Sequence, residues 1–152
     1  MTNPEPDPIH TIRLRRPWQK QFENEDSSNR IDVPETELAT NTPVTPATYI
    51  RRFNRPSGLT ERSQLRLKIG SWKGELASLI VNDRELAADL QCERSNGPID
   101  VDIAHLLANH NCITIVLAPK NESPDKEKRP VQLTGPVVLN IVDVNPLNNP
   151  VE

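Results

Sequence analysis

The chain has 152 residues and a net charge of −3, which fits one domain and argues against long-range attraction to nucleic acid. Only 35% of its residues are hydrophobic, and no run approaches the roughly 18 apolar residues of a membrane span. Fifteen prolines and a period-two pattern exclude a helical bundle.

Residues 1–9 are polar and proline-rich and read as a disordered lead. They hold no apolar h-region, so a secretory signal is not expected and the cytoplasm is the default compartment. Thr11-Ile12-Arg13-Leu14-Arg15 alternates polar and apolar, the mark of a half-buried strand, and Pro17 ends it. Residues 19–29 are polar and acidic without periodicity and read as loop. Residues 31–38 suggest a short extended piece, and prolines 43 and 46 mark a linker. Residues 49–55 form a strand candidate closed by Pro56-Ser57-Gly58. Leu65, Leu67 and Ile69 alternate with Gln64, Arg66 and Lys68, giving one dry face and one wet face. Residues 76–82 form another strand, with a turn at Asn82-Asp83-Arg84, because Asn and Asp tolerate left-handed backbone. A short strand over 86–90 and a turn at Ser95-Asn96-Gly97-Pro98 follow. Ile99, Val101 and Ile103 alternate with Asp100 and Asp102, residues 104–108 suit one helical turn, and 113–117 and 137–142 complete the strands. Residues 119–129 read as a charged loop, and 145–152 as a polar tail. Seven or eight short strands separated by turn signals indicate one all-β sandwich or jelly roll over 10–144.

Certain runs go further than pattern. Tyr49-Ile50-Arg51-Arg52-Phe53 is followed by Leu65-Arg66-Leu67, then by Leu79-Ile80-Val81-Asn82-Asp83. Ile99-Asp100-Val101-Asp102-Ile103 with Leu106-Leu107 comes next, then Asn111-Cys112-Ile113-Thr114-Ile115-Val116. This order resembles the N-terminal sugar-binding domain of family-two glycoside hydrolases, the β-galactosidase and β-glucuronidase group. The resemblance covers residues 49–143, and 10–20 more loosely. It implies a galactose-binding-like jelly-roll β-sandwich of about eight strands. In that family a catalytic barrel follows this domain. Neither the barrel nor its catalytic glutamates has a counterpart here, so a non-catalytic binding module is expected rather than an enzyme.

The resemblance directs attention to Trp18, Arg52, Trp72, Asp100 and Asp102 as ligand-binding residues. Lectin-like sites stack a sugar on an aromatic face, and Trp18 and Trp72 are the platforms among two Trp, one Tyr and two Phe; burial in the core is the competing reading. Asp100 and Asp102 lie two apart on one strand face. They suit a Ca²⁺ site, an acid–base pair or simply a solvated face. Arg13, Arg15 and Arg16 on the first strand and Arg51, Arg52 and Arg55 on a later one would form a positive patch if those strands were neighbours. Such a patch suits an acidic sugar, a phosphate or an acidic protein surface, and guarding of an edge strand is the alternative. Stacking aromatics are too sparse for nucleic acid. His10, His105 and His110 lack zinc spacing, and Cys92 and Cys112 read as two reduced, partly buried thiols. No Gly-rich phosphate loop or nucleophile elbow occurs, so no cofactor or metal is expected. The expected partner is a carbohydrate or a protein. A structural or assembly role without a small ligand is the alternative, and a small hydrolase using Asp100 or Asp102 is the least favoured.

Overall fold

The computed structural model describes residues 10–36, 41–86, 97–120 and 129–143. Ten strands occur among them: β1 (His10–Arg13), β2 (Trp18–Phe22), β3 (Asn29–Ile31), β4 (Ala47–Asn54), β5 (Ser63–Ile69), β6 (Glu75–Val81), β7 (Arg84–Glu85), β8 (Ile99–Asp102), β9 (His110–Ala118) and β10 (Val137–Asp143). A four-stranded sheet has the order β1-β10-β5-β8, and a six-stranded sheet the order β3-β2-β4-β9-β6-β7. The two are antiparallel throughout and pack as a sandwich.

Period-two patterning explains how the layers close. β5 buries Leu65, Leu67 and Ile69 and sets Gln64, Arg66 and Lys68 on its other face. β10 lies in register, with Leu139 beside Leu67 and Ile141 beside Leu65. The opposite layer supplies Tyr49 from β4, Leu79 and Val81 from β6, and Ile113, Ile115 and Leu117 from β9. Each fully buried side chain of this size contributes about 1.5–3 kcal/mol, and the core draws on both sheets along their length. The β6–β7 hairpin turns at Asn82 and Asp83, both at positive φ (50° and 70°), the backbone that a tight hairpin of natural twist requires.

The expected jelly-roll sandwich is therefore the observed architecture, with ten strands where about eight were expected. β2 and β3 account for the difference. Three local expectations are corrected. Residues 19–29 were expected to be loop, but β2 occupies 18–22 and β3 starts at Asn29. The alternation of β2 is disguised because Lys20 is its middle inward residue, between Trp18 and Phe22. The first strand stops at Arg13, so Arg15 and Arg16 lie beyond it. β7 covers Arg84 and Glu85 rather than starting at Leu86, and the rest of the 86–90 piece lies outside the described residues. The expected lead (1–9), the tail (145–152), Cys92, and much of the 95–98 turn and the 119–129 loop also lie outside them. Among the described residues no helix is long and apolar enough to cross a membrane.

Candidate functional site

The five residues singled out by the sequence are not brought together. Trp18 is 0% exposed and Trp72 3%, so neither indole offers a face to a ligand. Trp18 donates Nε1–H to the Leu14 carbonyl at 2.7 Å, which satisfies its one polar atom inside the core. Trp72 packs over Gly97, where a Cβ would lie 2.7 Å from the indole Cζ3. Of the two readings of these tryptophans, the core one describes both.

Asp100 and Asp102 have separate structural tasks. Asp100 accepts from Arg66 Nε at 2.8 Å on the outer face of the four-stranded sheet, with Lys68 Nζ 3.6 Å from its other oxygen. Asp102 Oδ1 accepts from the backbone N–H groups of Leu65 and Ala104, both at 3.0 Å, and so ties β5 to the 3-10 turn over Ala104–Leu106. No group of three or more His, Cys, Asp or Glu side chains among the described residues is placed to hold a metal.

The two arginine sets separate as well. β1 and β4 belong to different sheets, so their arginines do not form one patch. Arg13 and Arg15 line a shallow groove of about 420 Å³ with Val33, Pro34, Pro136 and Val138, and Arg16 pairs with Asp32 at 3.6 Å. Arg51 and Arg52 line a second groove of about 600 Å³ together with Phe53, Asn54, His110 and Asn111. Ile12 of β1 and Leu14 just after that strand form its far wall, so this groove lies where the two layers part.

The second groove has a prepared floor. Asn111 is buried and uses its amide fully: Nδ2 donates to the carbonyls of Ala108 (3.0 Å) and Phe53 (3.4 Å), and Oδ1 accepts from Ala108 N–H (2.8 Å) and Asn82 Nδ2 (2.7 Å). Asn82 in turn accepts from Cys112 N–H at 2.9 Å and donates to the Leu106 carbonyl at 2.8 Å. These are the two asparagines of the recognised runs, and their role is to lock the hairpin and the 3-10 turn onto β9. His110 Nδ1 lies 3.0 Å from Asn54 Oδ1 at the rim. Arg51 is half-buried, and burial lowers its guanidinium from the usual range. Arg52 beside it is exposed. Cys112 is a half-buried free thiol.

Sequence reasoning missed one buried ionic cluster. Lys20 Nζ lies 2.9 Å from Glu35 Oε2, and the Tyr49 hydroxyl donates to Glu35 Oε1 at 2.6 Å. Leu133 N–H donates to the same oxygen at 3.0 Å, and the Lys20 ammonium sits 4.9 Å and 5.1 Å from the ring centres of Phe22 and Tyr49. Burial, then the charge and hydrogen bond of Glu35, raise the Tyr49 hydroxyl far above its ordinary value. The signal available was Lys20 between two aromatic-type positions at period two; its partner, fifteen residues on, could not be read from one strand. Every polar group of this cluster is engaged, so it clamps the 33–35 and 131–133 segments to the sheet.

No family model matches the sequence, and no curated protein matches it. Solved structures do. The chain superposes on a β-glucuronidase of Faecalibacterium prausnitzii with a TM-score of 0.68 and 13% identity, covering 95% of this chain and 33% of that one. For the β-D-glucuronidase of Dictyoglomus thermophilum the TM-score is 0.64, with 14% identity and coverage of 93% and 29%. For a putative β-galactosidase of Bacteroides fragilis it is 0.66, with 15% identity and coverage of 88% and 23%. The chain has the fold of one part of these glycosidases. The resemblance read from the sequence thus holds at the level of fold, and the chain spans a third or less of the length of the structures it matches. A fold alone does not carry their activity across.

Proposed function

We propose that this chain is a non-catalytic binding module whose ligand, a carbohydrate, lies in the groove between the parted sheets. The single observation behind this reading is the convergence of Arg51, Arg52, Asn54 and His110 around Phe53 on a floor held rigid by Asn111. A polyhydroxylated ligand needs donors and acceptors in a fixed array plus an apolar face, and the groove offers both. Its likeness in fold to part of the glycosidases supports the sugar class. Its lack of catalysis is supported by the engagement of Asp100, Asp102 and Glu35 in structural bonds.

The alternative, an assembly domain, draws on the groove under Arg13 and Arg15, with its valine and proline lining. Against a large apolar interface, Val44 is the only large hydrophobic residue exposed among the described residues. Binding is best followed through amide and arginine side-chain NMR signals during titration with a panel of neutral and acidic sugars. Tryptophan fluorescence suits this poorly, because both indoles are buried. Shifts confined to β4 and β9 near Phe53 and His110 are the expected result. No shift with any sugar, together with concentration-dependent association in sedimentation, would replace this reading by the assembly one.

A further inference from the structure

Arg51 breaks the pattern of its strand. Ala47 and Tyr49 face the core, and period two places Arg51 and Phe53 on that same face; the register with β9 is unbroken and sets Arg51 beside the buried Ile113. A guanidinium therefore enters the space between the sheets where an aliphatic side chain would ordinarily sit. Its Nη1 donates to the Arg52 carbonyl. Its Nε is buried and has no hydrogen-bond partner. Elsewhere the molecule matches such groups internally, as with Arg66 on Asp100 and Lys20 on Glu35. Among the described residues neither Arg51 nor Arg52 meets a carboxylate, and no acidic side chain of these residues lines the groove.

Resting on the reading that this groove is the binding site, we propose that it is an oxyanion site: Arg51 holds a ligand's carboxylate or phosphate from inside the sandwich mouth and Arg52 holds it from the rim. A guanidinium offers parallel N–H donors in the spacing of two oxyanion oxygens, which a neutral hydroxyl cannot match, and the terminal Nη edge of Arg51, rather than its buried Nε, is the part that can face the groove. The apolar wall of Ile12, Leu14 and Phe53 excludes water from one side and strengthens the attraction. Half-buried Arg51 fixes the orientation, and exposed Arg52 adds charge without constraining shape.

The test is titration of the full chain at low ionic strength with galactose, galacturonate and galactose 6-phosphate, read by arginine Nε–H and amide NMR shifts. The anionic probes are expected to bind at least about tenfold more tightly than the neutral sugar, a difference of about 1.4 kcal/mol, with the Arg51 Nε–H signal moving most. The uronate and phosphate arms show which oxyanion is preferred. Arg51→Met is expected to remove the difference and to fold, since it swaps an unpaired charge for an aliphatic chain of similar length. Arg52→Gln, at an exposed position, is expected to weaken anion binding more than neutral sugar binding, and so to narrow the difference between them. Neutral sugar binding in the groove without an anion advantage overturns this inference and leaves the binding-module reading standing. An anion advantage that survives in Arg51→Met also overturns it. Failure of every probe to shift groove signals ends both.

Discussion

Lys20 and Glu35 form an ion pair at 2.9 Å with side chains 4% and 7% exposed, joining β2 to the segment that follows β3. Two charges removed from water repay their desolvation only with further hydrogen bonds, and here Tyr49 and the Leu133 amide provide them. Removing one partner strands the other. Lys20→Met is expected to destabilise the fold by about 3–5 kcal/mol in urea denaturation. Adding Glu35→Gln to Lys20→Met should recover part of that loss, since the pair couples by roughly 0.5–3 kcal/mol. Strictly additive losses would show that the pair is not a unit.

Tyr49 is the only tyrosine in the chain, so phenolate absorbance reports on it alone. Its folded pKa lies above the unfolded value of 10.0, raised first by burial and then by Glu35. The protonated form is the one the fold favours, so its contribution is fully present below pH 10.0 and declines as pH rises beyond it. Phenolate is expected to appear together with unfolding rather than in a separate titration near the ordinary value. Tyr49→Phe should lower stability at neutral pH by about 1–3 kcal/mol, because the buried Glu35 carboxylate loses one hydrogen bond and keeps only the Leu133 N–H on that oxygen, and flatten the alkaline decline. A reversible phenolate titration near the ordinary value with the fold intact would refute this.

Gly97 stands at φ 80° against the Trp72 ring. An added methyl would meet the indole at 2.7 Å in a backbone conformation that side chains rarely adopt. Gly97→Ala is expected to cost about 1–3 kcal/mol and to red-shift tryptophan emission as Trp72 loosens. Unchanged emission and midpoint would show that the contact is slack.

The two aspartates should part company under mutation. Asp100→Asn breaks a partly exposed ion pair and is expected to change stability by less than about 1 kcal/mol. Asp102→Ala removes the acceptor for two backbone N–H groups and should cost about 1–3 kcal/mol. Neither should alter ligand titration of the β4–β9 groove. Loss of groove binding in Asp100→Asn would move the site to the other sheet.

Much of the fold follows from spacing along single strands. β5 announces its dry face through Leu65, Leu67 and Ile69, and Asn82-Asp83 announces its hairpin, because side-chain alternation and turn backbone are local properties. β2 was hidden because Lys20 is inward and looks polar until its carboxylate is found. The site was only half legible. Arg52 was among the expected ligand residues and does line the groove, whereas Trp18 and Trp72 turned out to be core. A tryptophan beside a loop and a tryptophan at a binding face have the same sequence neighbours.

The sequence by itself determined the all-β sandwich, most of its strands and the Asn82-Asp83 hairpin turn, since each depends on periodicity or on a turn. Tertiary structure alone decided which arginines meet. β1 and β4 fall in different sheets, so Arg13 and Arg51 belong to separate grooves, and Arg51 faces inward with an unpartnered Nε. Pairing between strands distant in the chain sets those positions, and local sequence carries no record of which strand lies opposite.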